Sequence, residues 1–216
     1  MALASTSRSA AAAALQPQPP PWLTDEMLRP LVEINALALQ LVCRRAREPD
    51  RSAPAPAMLR DLEGLWSALD DSALQRIAHC PFVLIDGSII GADVGVEGTG
   101  AVRDAVRVAG FFGGAEGGSL ARLYATFCWH LARTHPLAAR MMLGMSSQYA
   151  DIVRGFTLRE LERFAESQAR VLQPRWPERT DVWAGLLTAA IQDDQIAIER
   201  ARLRGLHLLA SANWPA

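Results

Sequence analysis

The chain has 216 residues, half of them apolar, and a formal charge of −1. That is enough apolar material for a sizeable core in one domain or two small ones, and too little positive charge for a protein held to nucleic acid by bulk electrostatics. All 22 strongly basic residues are arginine, which excludes Schiff-base and P-loop chemistry because both need a lysine, and no apolar run reaches the roughly 18 residues of a membrane span.

Residues 1–21 hold an alanine run and a proline-rich end without apolar periodicity, and read as a disordered tail rather than a signal peptide. Pro30 sets the expected start of a first long helix, whose stripe is Leu31, Ile34, Ala38, Leu41 and Val42. Met58, Leu62, Leu65 and Leu69 predict a second helix. Asp70 is placed to cap a third, carrying Leu74, Ile77 and Ala78 until Pro81 stops it. FVLI, Asp86-Gly87 and SII have the pattern of a small hairpin. Residues 87–118 contain ten of the fifteen glycines and read as a linker. Ser119 is expected to cap a helix bearing Leu120, Leu123, Tyr124, Phe127, Cys128 and Leu131. Thr180 is expected to cap one through Trp183, Leu186, Leu187 and Ile191, and after Asp193-Asp194 a last helix runs through Ile196, Leu203, Leu206 and Leu209. The expected fold is therefore all-α: a multi-helix bundle of two helical modules, 22–85 and 119–216, joined by a glycine-rich linker at 86–118.

The chemistry-bearing residue types form no catalytic constellation. GVEGTG at 95–100 has no convincing strand before it and no GK[ST] after it, so it reads as a loop. Cys128 and His130 are two apart on a helix and point to different faces. His79-Cys80 lacks a third group to orient a nucleophile–base pair. Cys43, Cys80 and Cys128 have no CxxC spacing and read as buried thiols in a reducing compartment, which gives a cytoplasmic expectation. No cofactor, metal site or enzymatic activity is expected.

Residues 137–172, LAARMMLGMSSQYADIVRGFTLRELERFAESQARVL, carry the densest signals. Pro136 suits a first helical position, Gly144 a left-handed helix end, Ser146 a new cap and Gly155 a second helix end. Thr157 and Glu160 have the spacing of a capping box, and Leu158, Leu161, Phe164, Ala165 and Leu172 fall on one face behind it. Laying 69–85 over 156–172 matches Leu74 with Leu161, Arg76 with Arg163 and Ala78 with Ala165, the trace of a degenerate tandem repeat. The turn at 143–146 has two readings: a helix-turn-helix, in which Arg140, Ser147, Gln148 and Arg154 contact DNA, or a structural helical hairpin. Arg159, Arg163 and Arg170 lie on the polar face left for solvent or a protein partner.

A helix ending in LGM, a helix running to GFT and a helix of the form TLRELERFAES together resemble the core of FlhD, the helical subunit of a bacterial flagellar transcriptional activator. The resemblance covers about 120–172, with a fainter echo at 59–85. In the FlhD pattern a cysteine often follows the last core helix; here those positions are Ile85 and Leu172. The resemblance implies a helical, oligomer-forming regulator that depends on a protein partner. The near-neutral charge implies that any DNA binding by the chain alone is weak, and the lack of a long apolar run that it does not enter membranes. It is expected as a monomer with a pseudo-dimeric repeat, or as a homodimer. The competing expectation is a helical adaptor of a secretion or motility system without DNA binding. Exposure of the helix after Ser146 would favour the regulator, and its burial the adaptor.

Overall fold

The computed structural model describes residues 25–48, 55–87 and 110–213, so the N-terminal tail and the GVEGTG motif lie outside the described residues. Helix α1, Asp25–Arg47, opens with Asp25 and Glu26 and closes with Arg44, Arg45 and Arg47, complementing its dipole at both ends. It starts five residues before Pro30, which stands inside the helix. A proline this near the start costs a single intrahelical hydrogen bond, and the buried stripe from Leu31 to Cys43 more than offsets it. The expected second helix is two, α2 (Ala57–Arg60) and α3 (Glu63–Ala68), because the backbone leaves helical geometry at Leu62. Helix α4, Asp71–Ala78, is capped as expected: the Asp70 carboxylate accepts from the Ala73 N–H at 2.7 Å.

The second half contains α5 (Gly114–Thr134), α6 (Pro136–Leu143), α7 (Ser147–Arg154), α8 (Leu158–Val171), α9 (Thr180–Ile191) and α10 (Gln195–Asn213). Helix α5 begins five residues before Ser119, whose hydroxyl bonds back to the Ala115 carbonyl within the helix instead of capping it. Thr180 is the first residue of α9, not its cap, and makes no capping bond there. Asp194 does cap α10, accepting from Ala197 N–H.

The second arm of the expected hairpin, 88–90, lies outside the described residues, and Ile85 and Asp86 of the first pair across the chain. Strand β1 (Ile85–Asp86) pairs antiparallel with β2 (Gln173–Pro174), Ile85 opposite Pro174 and Asp86 opposite Gln173. Gly87 then passes so close to the Gln168 side chain that a Cβ there would collide with it. The two-strand pairing leaves the fold class as expected, an all-α multi-helix bundle.

The faint sequence repeat has a structural counterpart. The capping residues Asp70 and Thr157 stand 87 positions apart and accept from the N–H groups of Ala73 and Glu160, also 87 apart. Over 64–79 the burial class agrees with that of the residue 87 later at all but two positions. With a one-residue slip, buried Leu31, Ile34, Asn35, Ala38, Leu39 and Val42 of α1 fall on buried Gly117, Leu120, Ala121, Tyr124, Ala125 and Cys128 of α5. Helix α1 packs on α3 and α4, and α5 packs on α7 and α8. Asp86 pairs with Gln173, its own counterpart in the repeat. A residue facing its equivalent in an antiparallel contact is what a twofold relation between two like units produces.

The two halves share one continuous apolar core, which runs from Leu31 to Leu209. Trp66 of α3 and Trp183 of α9, both fully buried, meet at 5.5 Å, and their indole N–H groups donate to the carbonyls of Met58 and Arg175. Two buried polar side chains organise this core, Asn35 within the first half and Arg175 across the two. Asn35 donates to the Ala78 and Phe82 carbonyls and accepts from Leu84 N–H. The Arg175 guanidinium donates to the carbonyls of Val83, Ile85 and Leu143, so one side chain joins β1 to the end of α6.

Candidate functional site

The α6–α7–α8 segment is built by local signals that behave mostly as the sequence implies. Pro136 is the first residue of α6, and Gly144 ends that helix in the left-handed region at φ 68°. The Ser146 hydroxyl accepts from Tyr149 N–H at 3.2 Å and starts α7. Gly155 ends α7 with φ −79°, so it is not the left-handed residue expected there. The capping box is complete: Glu160 N–H donates to the Thr157 hydroxyl at 3.3 Å, and Thr157 N–H donates to the Glu160 carboxylate at 2.8 Å. Those bonds to Thr157 hold the Glu160 carboxyl below its ordinary range.

Both halves of the chain hold this segment in place. Val83 N–H donates to Met142 O, Arg175 reaches Leu143 O, and the Trp129 indole of α5 donates to Phe156 O in the turn between α7 and α8. Phe164 fills the angle beneath the turn, with ring centroids 5.5 Å from Phe156 and 6.4 Å from Tyr149. Helix α7 buries Ala150 and Val153 and leaves Ser147, Gln148, Asp151 and Arg154 exposed. Its outer face carries no net charge, because Arg154 lies 3.4 Å from Asp151.

Helix α8 buries only Phe164, Ala165 and Gln168. Leu158, expected on the core face, is 74 % exposed: it lies in line with Ala165 but two turns nearer the helix start, beyond the packed part of the helix. Gln168 takes a core position that the periodicity from Phe164 and Ala165 assigns and that its polar side chain concealed. The exposed side carries Arg159, Arg163 and Arg170 beside Glu160, Glu162 and Glu166.

Of the seven residues singled out for DNA or partner contact, Ser147, Gln148, Arg154, Arg159, Arg163 and Arg170 are exposed, and Arg140 is half-buried. They occupy three consecutive helices. Asn35 and Arg175 were not singled out; Asn35 lies on the apolar stripe of α1, and that placement is the one signal that could have marked it.

The thiols lie in the interior. Burial pushes Cys80 and Cys128 up to about 12 and Cys43 up to about 11, so none is a thiolate near neutral pH. Cys128 is buried on α5 while His130 is exposed, and His79 bonds through Nδ1 to the Gln75 carbonyl while Cys80 is buried. Among the described residues no group of three His, Cys, Asp or Glu side chains is placed to hold a metal ion, and no helix is long and apolar enough to cross a membrane. No protein-family model, curated protein or solved structure matches the chain.

Proposed function

We propose that this chain is a non-enzymatic, FlhD-like transcriptional regulator that acts through a protein partner, with the outer faces of α6, α7 and α8 as its contact surface. The observation that carries the reading is the exposure of six of the seven singled-out residues on consecutive helices whose inner faces are fixed by the core. A rigid helix pair with its second helix open on one side suits docking into a groove. The sequence resemblance over 120–172 adds the regulatory class.

The charge on that surface assigns the work between chain and partner. Arg154 is paired with Asp151, and the arginines of α8 alternate with glutamates. Few phosphates can be neutralised, so DNA affinity of the chain alone is low and falls only shallowly with salt. On this reading the partner supplies most of the phosphate contacts, while Ser147 and Gln148, in the first turn of α7, touch base edges.

The test is a gel shift with promoter fragments from the source cells, using the purified chain alone and in cell extract. A complex that needs extract, and disappears when Arg140, Ser147, Gln148 and Arg154 are all alanine, is the expected result. Tight binding by the purified chain at physiological salt overturns the partner requirement. A complex unaffected by the fourfold change overturns the site. The adaptor reading wins if no DNA enters the complex while a protein does.

A further inference from the structure

The repeat relation identifies a surface that is covered in one half and open in the other. Helix α4 lies between α1 and α9, whereas its counterpart α8 rests on α5 and exposes its opposite side. The element covering α4 is the hairpin α9–α10, and its contacts are specific. Arg76 Nε donates to the Ala190 carbonyl in the last turn of α9 at 3.0 Å and lies 3.3 Å from the Asp193 carboxylate just beyond it. Arg202 of α10 donates to the Arg76 carbonyl at 2.8 Å. An arginine against a helix C-terminus meets both its partial negative charge and its unsatisfied carbonyls.

The residue matching Arg76, 87 positions later, is Arg163 of α8, and it is exposed. Around Arg76 the covered face includes Ala73 and Cys80, each 1 % exposed; the matching positions are Glu160 and Ser167. The second half thus keeps the arginine and replaces its small apolar neighbours by polar ones. A face permanently sealed by a hairpin favours alanine and cysteine; Glu160, whose carboxylate is held in the capping box, and half-buried Ser167, whose hydroxyl donates to the Phe164 carbonyl, suit one that water can reach.

Resting on the partner-dependent reading above, we propose that the Glu160, Arg163 and Ser167 face of α8 reversibly docks a helical hairpin of a different protein. The first helix of that hairpin ends against Arg163, which takes its terminal carbonyls and an acidic side chain, as Arg76 takes Ala190 and Asp193. The hairpin's contact face is more polar than that of α9, in keeping with Glu160 and Ser167. This chain's own α9–α10 is already engaged on α4, so a second copy cannot supply it.

The buried native thiols permit a direct test in the 216-residue chain. Glu166→Cys, on an exposed position beside Arg163, is labelled with a benzophenone maleimide, irradiated in extract of the source cells, and the crosslinked peptides are sequenced. The expected adduct joins another protein at the last turn of a helix carrying Asp or Glu, and falls at least tenfold when Arg163→Ala is added. Circular dichroism first verifies that Arg163→Ala is folded, and Arg163→Lys should restore part of the yield. An adduct to a second copy, an adduct to a segment that is not a helix end, indifference to Arg163→Ala, or no adduct overturns the proposal. The same chemistry at Gln148→Cys separates the two levels. Capture there but not at 166 leaves the partner-dependent reading standing and removes this face from it; capture at neither removes both.

Discussion

Replacing Asn35 by alanine removes the side chain that closes the first half of the fold. Asn35 is fully buried and makes three bonds: to the Ala78 carbonyl at 3.1 Å, to the Phe82 carbonyl at 3.0 Å and from the Leu84 N–H at 2.9 Å. Truncation leaves two acceptors and one donor without that partner, and an unsatisfied buried polar group costs about 1–3 kcal/mol. Carbonyls tolerate the loss better than an N–H, so the Leu84 amide dominates, and the sum is about 3–5 kcal/mol. Against a total stability on the order of 5–15 kcal/mol this is a large fraction. Asn35→Asp separates the parts: it keeps an acceptor for Leu84 but turns a carboxylate toward two carbonyls, so it must also destabilise. Urea unfolding followed by circular dichroism measures both, and an unchanged slope certifies that the same surface is exposed. A loss below about 1 kcal/mol for Asn35→Ala would refute the reasoning.

Gly185→Ala and Gly205→Ala should shift stability in opposite directions. Open space surrounds a Cβ at 185 in α9, so helix propensity gives a gain of up to about 1 kcal/mol, whereas a Cβ at 205 in α10 would collide with the buried Phe82 ring and lower the melting temperature. Thr157→Ala should cost about 1 kcal/mol by removing the α8 cap, and an unchanged melting curve would contradict that helix start. The Asp70 carboxyl is held low by its bond from the Ala73 N–H and the Glu160 carboxyl by bonds from the Thr157 N–H and hydroxyl, and Asp181 is lowered to about 2 by its hydrogen bond to Arg179. Their contributions are present in full above the ordinary carboxylate range and are lost as pH falls from about 4 toward 2, so Glu160→Gln should flatten the acid limb of a stability–pH curve. Ellman's reagent at pH 8 should find no fast thiol in the folded chain and all three after unfolding in guanidinium; one rapidly reacting thiol would contradict their burial.

Local signals in the sequence read most of this fold correctly where they act over a turn or less. Asp70, Gly144, Ser146 and the Thr157–Glu160 box behave as their chemistry dictates, since each depends only on neighbours within four residues. The features that local signals did not settle are those decided at a distance. Ile85 and Asp86 pair with residues 87 or more positions away, which the Asp86-Gly87 turn signal could not reveal. Pro30 sits inside α1 because the buried stripe and the acidic first turn outweigh one missing bond, and Ser119 was overruled as a cap when the helix extended into glycines ahead of it. Arg175 is the sharpest case, an arginine buried because three carbonyls from two distant segments converge on it. At the candidate site the exposed arginines of α8 followed from amphipathic spacing, but the significance of Arg163 became legible only when Arg76 showed what its equivalent binds.

That the two halves complete one another is the claim on which both the site and its inferred partner depend. Its most direct measurement is a thermal melt, by circular dichroism, of residues 110–216 expressed alone. This fragment retains α5 to α10 but loses β1 opposite β2, Trp66 against Trp183 and two of the carbonyls held by Arg175. The account predicts no cooperative transition, with the full chain melting in a single one. A sharp transition for the fragment as a monomer, near the temperature of the full chain, would contradict it.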